Sequence, residues 1–309
     1  MLGIARLADR GPMIAASLAA LLLVGAILVP VLLPAASVLS MPFIIGSAAV
    51  VAFVILKRGE SAALRGAGIC VALLIALSLL LYGSAVQIPL IALVFWLPAI
   101  LAAIVLRRFV SLDLAVLAIT GCGVLTAIAV HLLSGADGGL WKEPLTEQLG
   151  RQLGGGEGLD EAQLAALVDG LSNMMTGAMG VSVMSVALAS LFVGRYWQAA
   201  MVRPGGFREE FHALSLGRNT AFACLAVIAL SVGVEGRLWD ALAIVVVFAF
   251  FVQGLAVAHA LVRERGLAKG WLVGLYVLLL LPHTLLLVAA LGFADNLFAL
   301  RGRGGGTSP

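Results

Sequence analysis

Apolar residues run along this chain in long unbroken blocks, not in the alternating or one-faced patterns of a water-soluble domain. Nine blocks reach or approach the roughly 20 residues that a helix needs to cross a hydrocarbon layer. They cover about 13–35, 39–56, 64–82, 88–106, 112–133, 176–200, 219–235, 239–262 and 270–292. The pattern predicts an all-α polytopic transmembrane helix bundle of eight or nine spans, forming a single integral membrane domain over residues 1–309. The first block is too long for the apolar core of a signal peptide and is expected to stay as a membrane helix. The second is short and contains Pro42. The ninth contains Pro282 followed by His283, which predicts a kink or a break.

Two polar stretches interrupt the blocks. Residues 134–171 carry seven carboxylates against Lys142 and Arg151, with Gly154-Gly155-Gly156 in the middle. They predict an extracytoplasmic acidic loop holding two short amphipathic helices, the glycines acting as a joint. The first helix is expected over Pro144 to Leu153. The second begins at Asp160, whose spacing to Gln163 is that of a capping box. Residues 203–217 predict a cytoplasmic interfacial helix: Pro204-Gly205-Gly206 turns the chain, and Phe207, Phe211 and Leu214 then share one face.

Composition and charge sharpen this picture. Of the 309 residues 62% are hydrophobic and 11% charged, and the mean hydropathy is +1.13. Soluble domains have about 25% charged residues, so a cytosolic enzyme, a secreted disulfide scaffold and a disordered chain are excluded. The tail and loops of one alternating class hold 14 Lys and Arg; the opposite loops hold Lys142, Arg151 and Arg237 alone. The positive-inside rule then places the N-terminus in the cytoplasm of a multi-pass protein of the bacterial cytoplasmic (inner) membrane. No basic run exceeds two residues, so no nucleic-acid partner is expected. Cys70, Cys122 and Cys224 lie in apolar runs without a metal-ligand spacing.

The chain contains no phosphate-binding GxxxxGK[ST], no HExxH and no GxSxG. No catalytic residue, metal site or cofactor is expected, and the protein reads as a non-enzyme. The middles of the spans carry no Asp, Glu, Lys or Arg, which disfavours ion-coupled transport. The polar or aromatic candidates for lining a solute cavity are Gln253, His259, His283 and Trp96. A second candidate surface lies on the cytoplasmic connection: Arg195, Tyr196, Trp197, Phe207, Arg208, Glu209, Phe211 and His212. There the aromatics suit a membrane interface and the charges suit a protein partner. Asp295-Asn296 is expected to end the last span at the interface.

The words Gly194-Arg195-Tyr196-Trp197-Gln198, the run from Pro204 to Leu214, and Leu291-Gly292-Phe293-Ala294-Asp295-Asn296 ending in Arg301 resemble the YybS-like family of bacterial membrane proteins. The resemblance spans nearly the whole chain in length and hydropathy, and its specific words lie in the second half. That family is largely a domain of unknown function, similar at a distance to the substrate-binding S components of energy-coupling-factor vitamin transporters. The resemblance implies a transporter-like, small-solute-binding membrane component without its own ATPase. It also implies a partner surface at AxxxA spacings such as Ala15/Ala19 and Ala16/Ala20. No vitamin-binding residue carries over. The alternative is a non-enzymatic scaffold or assembly factor acting through residues 195–216 on a cytoplasmic or membrane partner.

Overall fold

The structure, a computed structural model, describes residues 2–135, 138–153 and 160–301. Among these the chain is helical without strands. The helices are α1 Leu2–Ala8, α2 Pro12–Leu32, α3 Ser40–Arg58, α4 Glu60–Tyr82, α5 Gln87–Phe109, α6 Leu112–Ser134 and α7 Gly139–Leu153. They continue with α8 Glu161–Val202, α9 Gly206–Ala213, α10 Arg218–Gly233, α11 Arg237–Glu264, α12 Gly270–Leu278 and α13 Pro282–Phe298. A 3-10 segment, Pro34–Leu39, leads into α3. Breaks fall where chemistry demands them. Gly59, Gly83, Gly217 and Gly236 stand at helix ends with positive φ, which costs glycine no Cβ clash.

Among the described residues seven helices are long and apolar enough to cross a membrane, and the pair α9 and α10, bent by 55°, raises the number to eight if it is one span. The ninth apolar block does not form one span. It divides into α12, of 9 residues, and α13, of 17, because Pro282 supplies no N–H and starts a new helix at its first turn. The second short helix expected within 134–171 is not separate either. Asp160 Oδ1 accepts the Gln163 N–H at 2.7 Å and Gln163 Oε1 accepts the Asp160 N–H at 3.1 Å. From that box α8 runs 42 residues, since no proline or positive-φ glycine interrupts it. The first helix of the stretch begins at Gly139 and contains Pro144. The glycine joint lies outside the described residues. The helix expected over 203–217 occupies Gly206–Ala213 only.

The chain divides into two compact units, residues 1–119 with 183–212, and residues 120–182 with 213–309. In the first unit α2 packs on α3 and α4, and α5 packs on the same two helices, making a four-helix ring. Small residues let backbones approach: a Cβ on Gly66 of α4 would lie 2.6 Å from Ala16 Cβ and 2.7 Å from the Pro12 carbonyl oxygen. Ala15 and Ala19 are buried against Ala49, Val50 and Phe53 of α3. The AxxxA positions are thus covered by the chain's own helices.

In the second unit α11 packs closely on α13. A Cβ on Gly254 would run into the Val288 carbonyl oxygen, and one on Gly292 into the Phe250 carbonyl oxygen and the Gly254 amide. This is the small-residue crossing expected where lipid supplies no hydrophobic drive between helices. Gly292→Ala is expected to lower the stability of the purified protein by about 1–3 kcal/mol, the usual range for forced overpacking. Gly274→Ala in α12, where a Cβ would meet nothing within 4 Å, is expected to leave it unchanged. Thermal unfolding in one detergent compares the two.

Candidate functional site

Three places gather the polar and aromatic residues. The first is a closed polar network in the second unit. Gln253 comes from the middle of α11 and is fully buried. Its Oε1 accepts the Leu216 backbone N–H at 3.0 Å and the Asn296 Nδ2–H at 3.1 Å. Its Nε2 donates to Asn296 Oδ1 at 2.9 Å and to Asp295 Oδ2 at 3.4 Å. Ser215 Oγ donates to the same Asn296 oxygen at 3.0 Å. Arg301 donates through Nε to both Asp295 oxygens, at 3.2 and 3.1 Å, and through Nη2 to Asp295 and to the Leu214 carbonyl, the latter at 2.8 Å.

Asp295 and Asn296 therefore do not end the last helix at an interface. They lie inside α13, with the Asp295 side chain 4% exposed. Together they pin the segment 214–217, the break between α9 and α10, where the backbone leaves helical pairing. Leu214 and Leu216 are buried there, and a freed carbonyl or amide in an apolar interior must find a partner.

Of the other cavity candidates, His259 Nδ1 lies 2.8 Å from the Leu255 carbonyl one turn back, and its Nε2 lies 3.4 Å from Tyr276 Oη. His283 is exposed in the first turn of α13. Gln253, His259 and His283 share no partner among these bonds, and Trp96 belongs to the other unit.

The second place is the 195–212 stretch in the first unit. Arg195 pairs with Glu210 through Nε at 2.8 Å and through Nη2, and it also holds Gln198. Gln198 in turn donates to the Leu56 carbonyl at 3.1 Å. Phe207 and Phe211 stack around Phe192, each with ring centroids 5.6 Å away. Trp197 is buried and meets Phe53 edge-on at 6.3 Å. It is a core residue and not an interface aromatic, unlike Tyr196, which is 48% exposed. The apolar face of α9 is thus folded onto its own chain, and Glu210 is engaged. Arg208 and Glu209 stay exposed beside His212, and Glu209 pairs with Arg203 at 2.9 Å.

The third place is a cavity of about 280 Å³ lined by all four helices of the ring and open to the outside beside the exposed Leu64. Its lining is apolar: Ala16 and Ala19 of α2, Val51 and Val54 of α3, Ala67 and Cys70 of α4, and Ile100, Ile104 and Trp96 of α5 are among its walls. Trp96 lies well inside α5, and its indole N–H is buried without a hydrogen-bond partner. Trp197 has an unpartnered N–H too, but its ring sits in the core against Phe53, outside the cavity's lining.

At the other end of the cavity stands Glu60, in the first turn of α4, held by Arg108 through two bonds of 2.9 and 2.8 Å. Two neighbouring cations are engaged elsewhere. Arg107 donates to the Ile55 and Leu56 carbonyls at 3.1 and 2.8 Å, and Lys57 reaches Asp9 at 2.7 Å. The Lys57 hydrogen bond holds the Asp9 carboxyl below its ordinary value of 3.8, so this clasp is complete above that pH and opens as pH falls through the lowered value. Sequence reasoning found Trp96 and Gln253 as isolated polar positions. It named Asp295, Asn296 and Arg301 without their partnership and missed Glu60 and Arg108, whose advance signal was charge next to an apolar run.

The fold and these sites define an all-α integral membrane protein with a closed polar network in one unit and an apolar cavity in the other; among the described residues Ser40, Trp96, Ser134, Asn173, Trp197 and Arg237 each keep a buried polar atom without a partner. Residues 159–296 match the model of an uncharacterised family described as "Predicted membrane protein (DUF2232)". No curated protein and no solved structure matches the chain. The family match covers the buried network but not Arg301, the ring or its cavity.

The network makes a sharp claim about unpaired charge. Arg301→Leu leaves Asp295 buried without its cation and is expected to cost about 3–5 kcal/mol. The double variant Asp295→Leu/Arg301→Leu is expected to recover most of that loss. Chemical unfolding of the two variants in mixed micelles measures the difference.

Proposed function

We propose that this chain is a transporter-like membrane component that holds a small, largely apolar molecule in the four-helix cavity and depends on a separate energising partner. The observation that carries this reading is the cavity that α2, α3, α4 and α5 line between them, with walls that are almost wholly apolar and include the Trp96 ring. The volume equals about nine water-sized spaces at some 30 Å³ each, which suits a molecule of modest size. The absence of a nucleotide-binding motif from the sequence supports the need for a partner. The Lys and Arg bias supports an inner-membrane protein with a cytoplasmic N-terminus, so that Glu60 and Arg108 face the cell interior.

The occupant reading is tested by native mass spectrometry of protein released from nanodiscs. A small-molecule adduct is expected on the wild type and absent from Ala67→Phe, which fills the cavity. A wild type that carries no adduct, even after incubation with membrane extracts, would contradict it. For orientation, an impermeant thiol reagent added to whole cells is expected to label a cysteine at Thr146 and not one at Ser61. The reverse pattern would invert the topology.

A further inference from the structure

Resting on the cavity reading above, we infer that the molecule held there is a lipid of the surrounding bilayer, with one hydrocarbon chain seated in the cavity and its polar head left outside at the membrane surface. The first observation is depth. The walls come from one half of each helix, the half nearer Arg10, Lys57, Arg58, Arg107 and Arg108: residues 12–19 of α2, 50–55 of α3, 60–70 of α4 and 96–104 of α5. Glu60 stands in the first turn of α4 and Cys70 near its middle, about 15 Å further along the axis. One leaflet's share of a hydrocarbon layer roughly 30 Å thick is about the same length. The far end is blind. Ala20, Leu23, Leu74, Ile88 and Ala92 close it as a packed core, against which Trp96 rests.

The second observation is the lining. Past Glu60 the walls offer only aliphatic side chains, the Trp96 ring and the Cys70 thiol, which packs as a small hydrophobe. The Trp96 indole nitrogen is itself buried, so the ring alone meets an occupant. A polar solute would lose its water here and gain no hydrogen bond, whereas a hydrocarbon chain needs none. A helix of a partner protein, about 10 Å across, does not fit a space of about 280 Å³ drawn out over that depth. The third observation is the mouth. Leu64 lines the cavity and is 72% exposed. It lies about 200° around α4 from Gly66, whose contact with Ala16 shuts α4 against α2. The opening therefore lies on the other side of α4, toward α5. The neighbouring exposed residues Ile69, Val71 and Leu73 continue the apolar surface that faces the bilayer. A chain enters sideways from the leaflet, without passing through water.

The test places the full-length protein in phosphatidylcholine nanodiscs with a trace of phosphatidylcholine carrying a photoreactive diazirine, either at the end of one acyl chain or near its ester. Cross-linked residues are located by peptide mass spectrometry. The chain-end probe is expected to mark Trp96 and Ile100 inside the cavity. The near-ester probe is expected to mark Ile104 and Leu64. Leu97 and Leu101, exposed on the same helix at matching depth, report ordinary lipid contact. In Ala67→Phe the labels at Trp96 and Ile100 are expected to be lost and those at Leu97 and Leu101 retained.

The wild type alone decides the matter should that variant fail to fold: labelling of Leu97 and Leu101 without Trp96 and Ile100 overturns the inference. Equal labelling of Ile100 and Ile104 by both probes also overturns it, because a seated chain has a fixed depth. Native mass spectrometry of the same protein separates this failure from that of the cavity reading. A bound molecule that is not a lipid overturns the lipid assignment and leaves the cavity reading standing, whereas no bound molecule together with no cavity label overturns both.

Discussion

The constraint behind this molecule is that lipid offers no hydrogen-bond partner. Every backbone and side-chain polar group that enters the apolar interior must be answered by another group of the same chain. Long helices answer most of the backbone demand. Where the helix between Gly206 and Gly233 breaks at residues 214–217, the freed groups are met one by one. Leu216 N–H goes to Gln253, the Leu214 carbonyl to Arg301, and Ser215 to Asn296. Glycines at 254 and 292 bring α11 and α13 close enough for this network to close. Packing and polar satisfaction are one problem here: the backbone contact sets the distance across which Gln253 meets Asn296.

Against that rule the four-helix ring stands out. Its helices meet closely through Ala15, Ala16, Ala19 and Gly66. Yet they also line a cavity whose walls are almost wholly apolar. That space is the place the proposed solute would take. The charged end of the same space, built on Glu60 and Arg108, gives that place a direction from polar to apolar.

Much of the architecture was legible in the sequence, because hydrophobic length alone dictates membrane helices. Eight of the nine apolar blocks appear as single helices or as part of a bent pair. The ninth failed at Pro282, the residue that flagged it. Less legible were the long-range partnerships. Nothing in local spacing ties Leu214 to Arg301 or Asp9 to Lys57, since both depend on how helices pack. The amphipathic stripe of Phe207 and Phe211 was read correctly as one apolar face. That its cover is Phe192, and not lipid, is a tertiary fact. Trp197 misled for a similar reason: an aromatic near a helix end looks interfacial until Phe53 is placed against it.

The environment of the Trp96 indole, whose ring lines the cavity, is the most direct test of the whole account. Protein labelled with nitrogen-15 tryptophan can be recorded by NMR in nanodiscs, first as purified and then after small molecules are stripped away, with Trp96→Phe assigning the resonance. The account predicts a resonance that moves when the cavity is emptied and returns when the stripped molecules are added back. A resonance identical in both preparations would mean that nothing occupied the cavity, and the case for a bound molecule would fall with it.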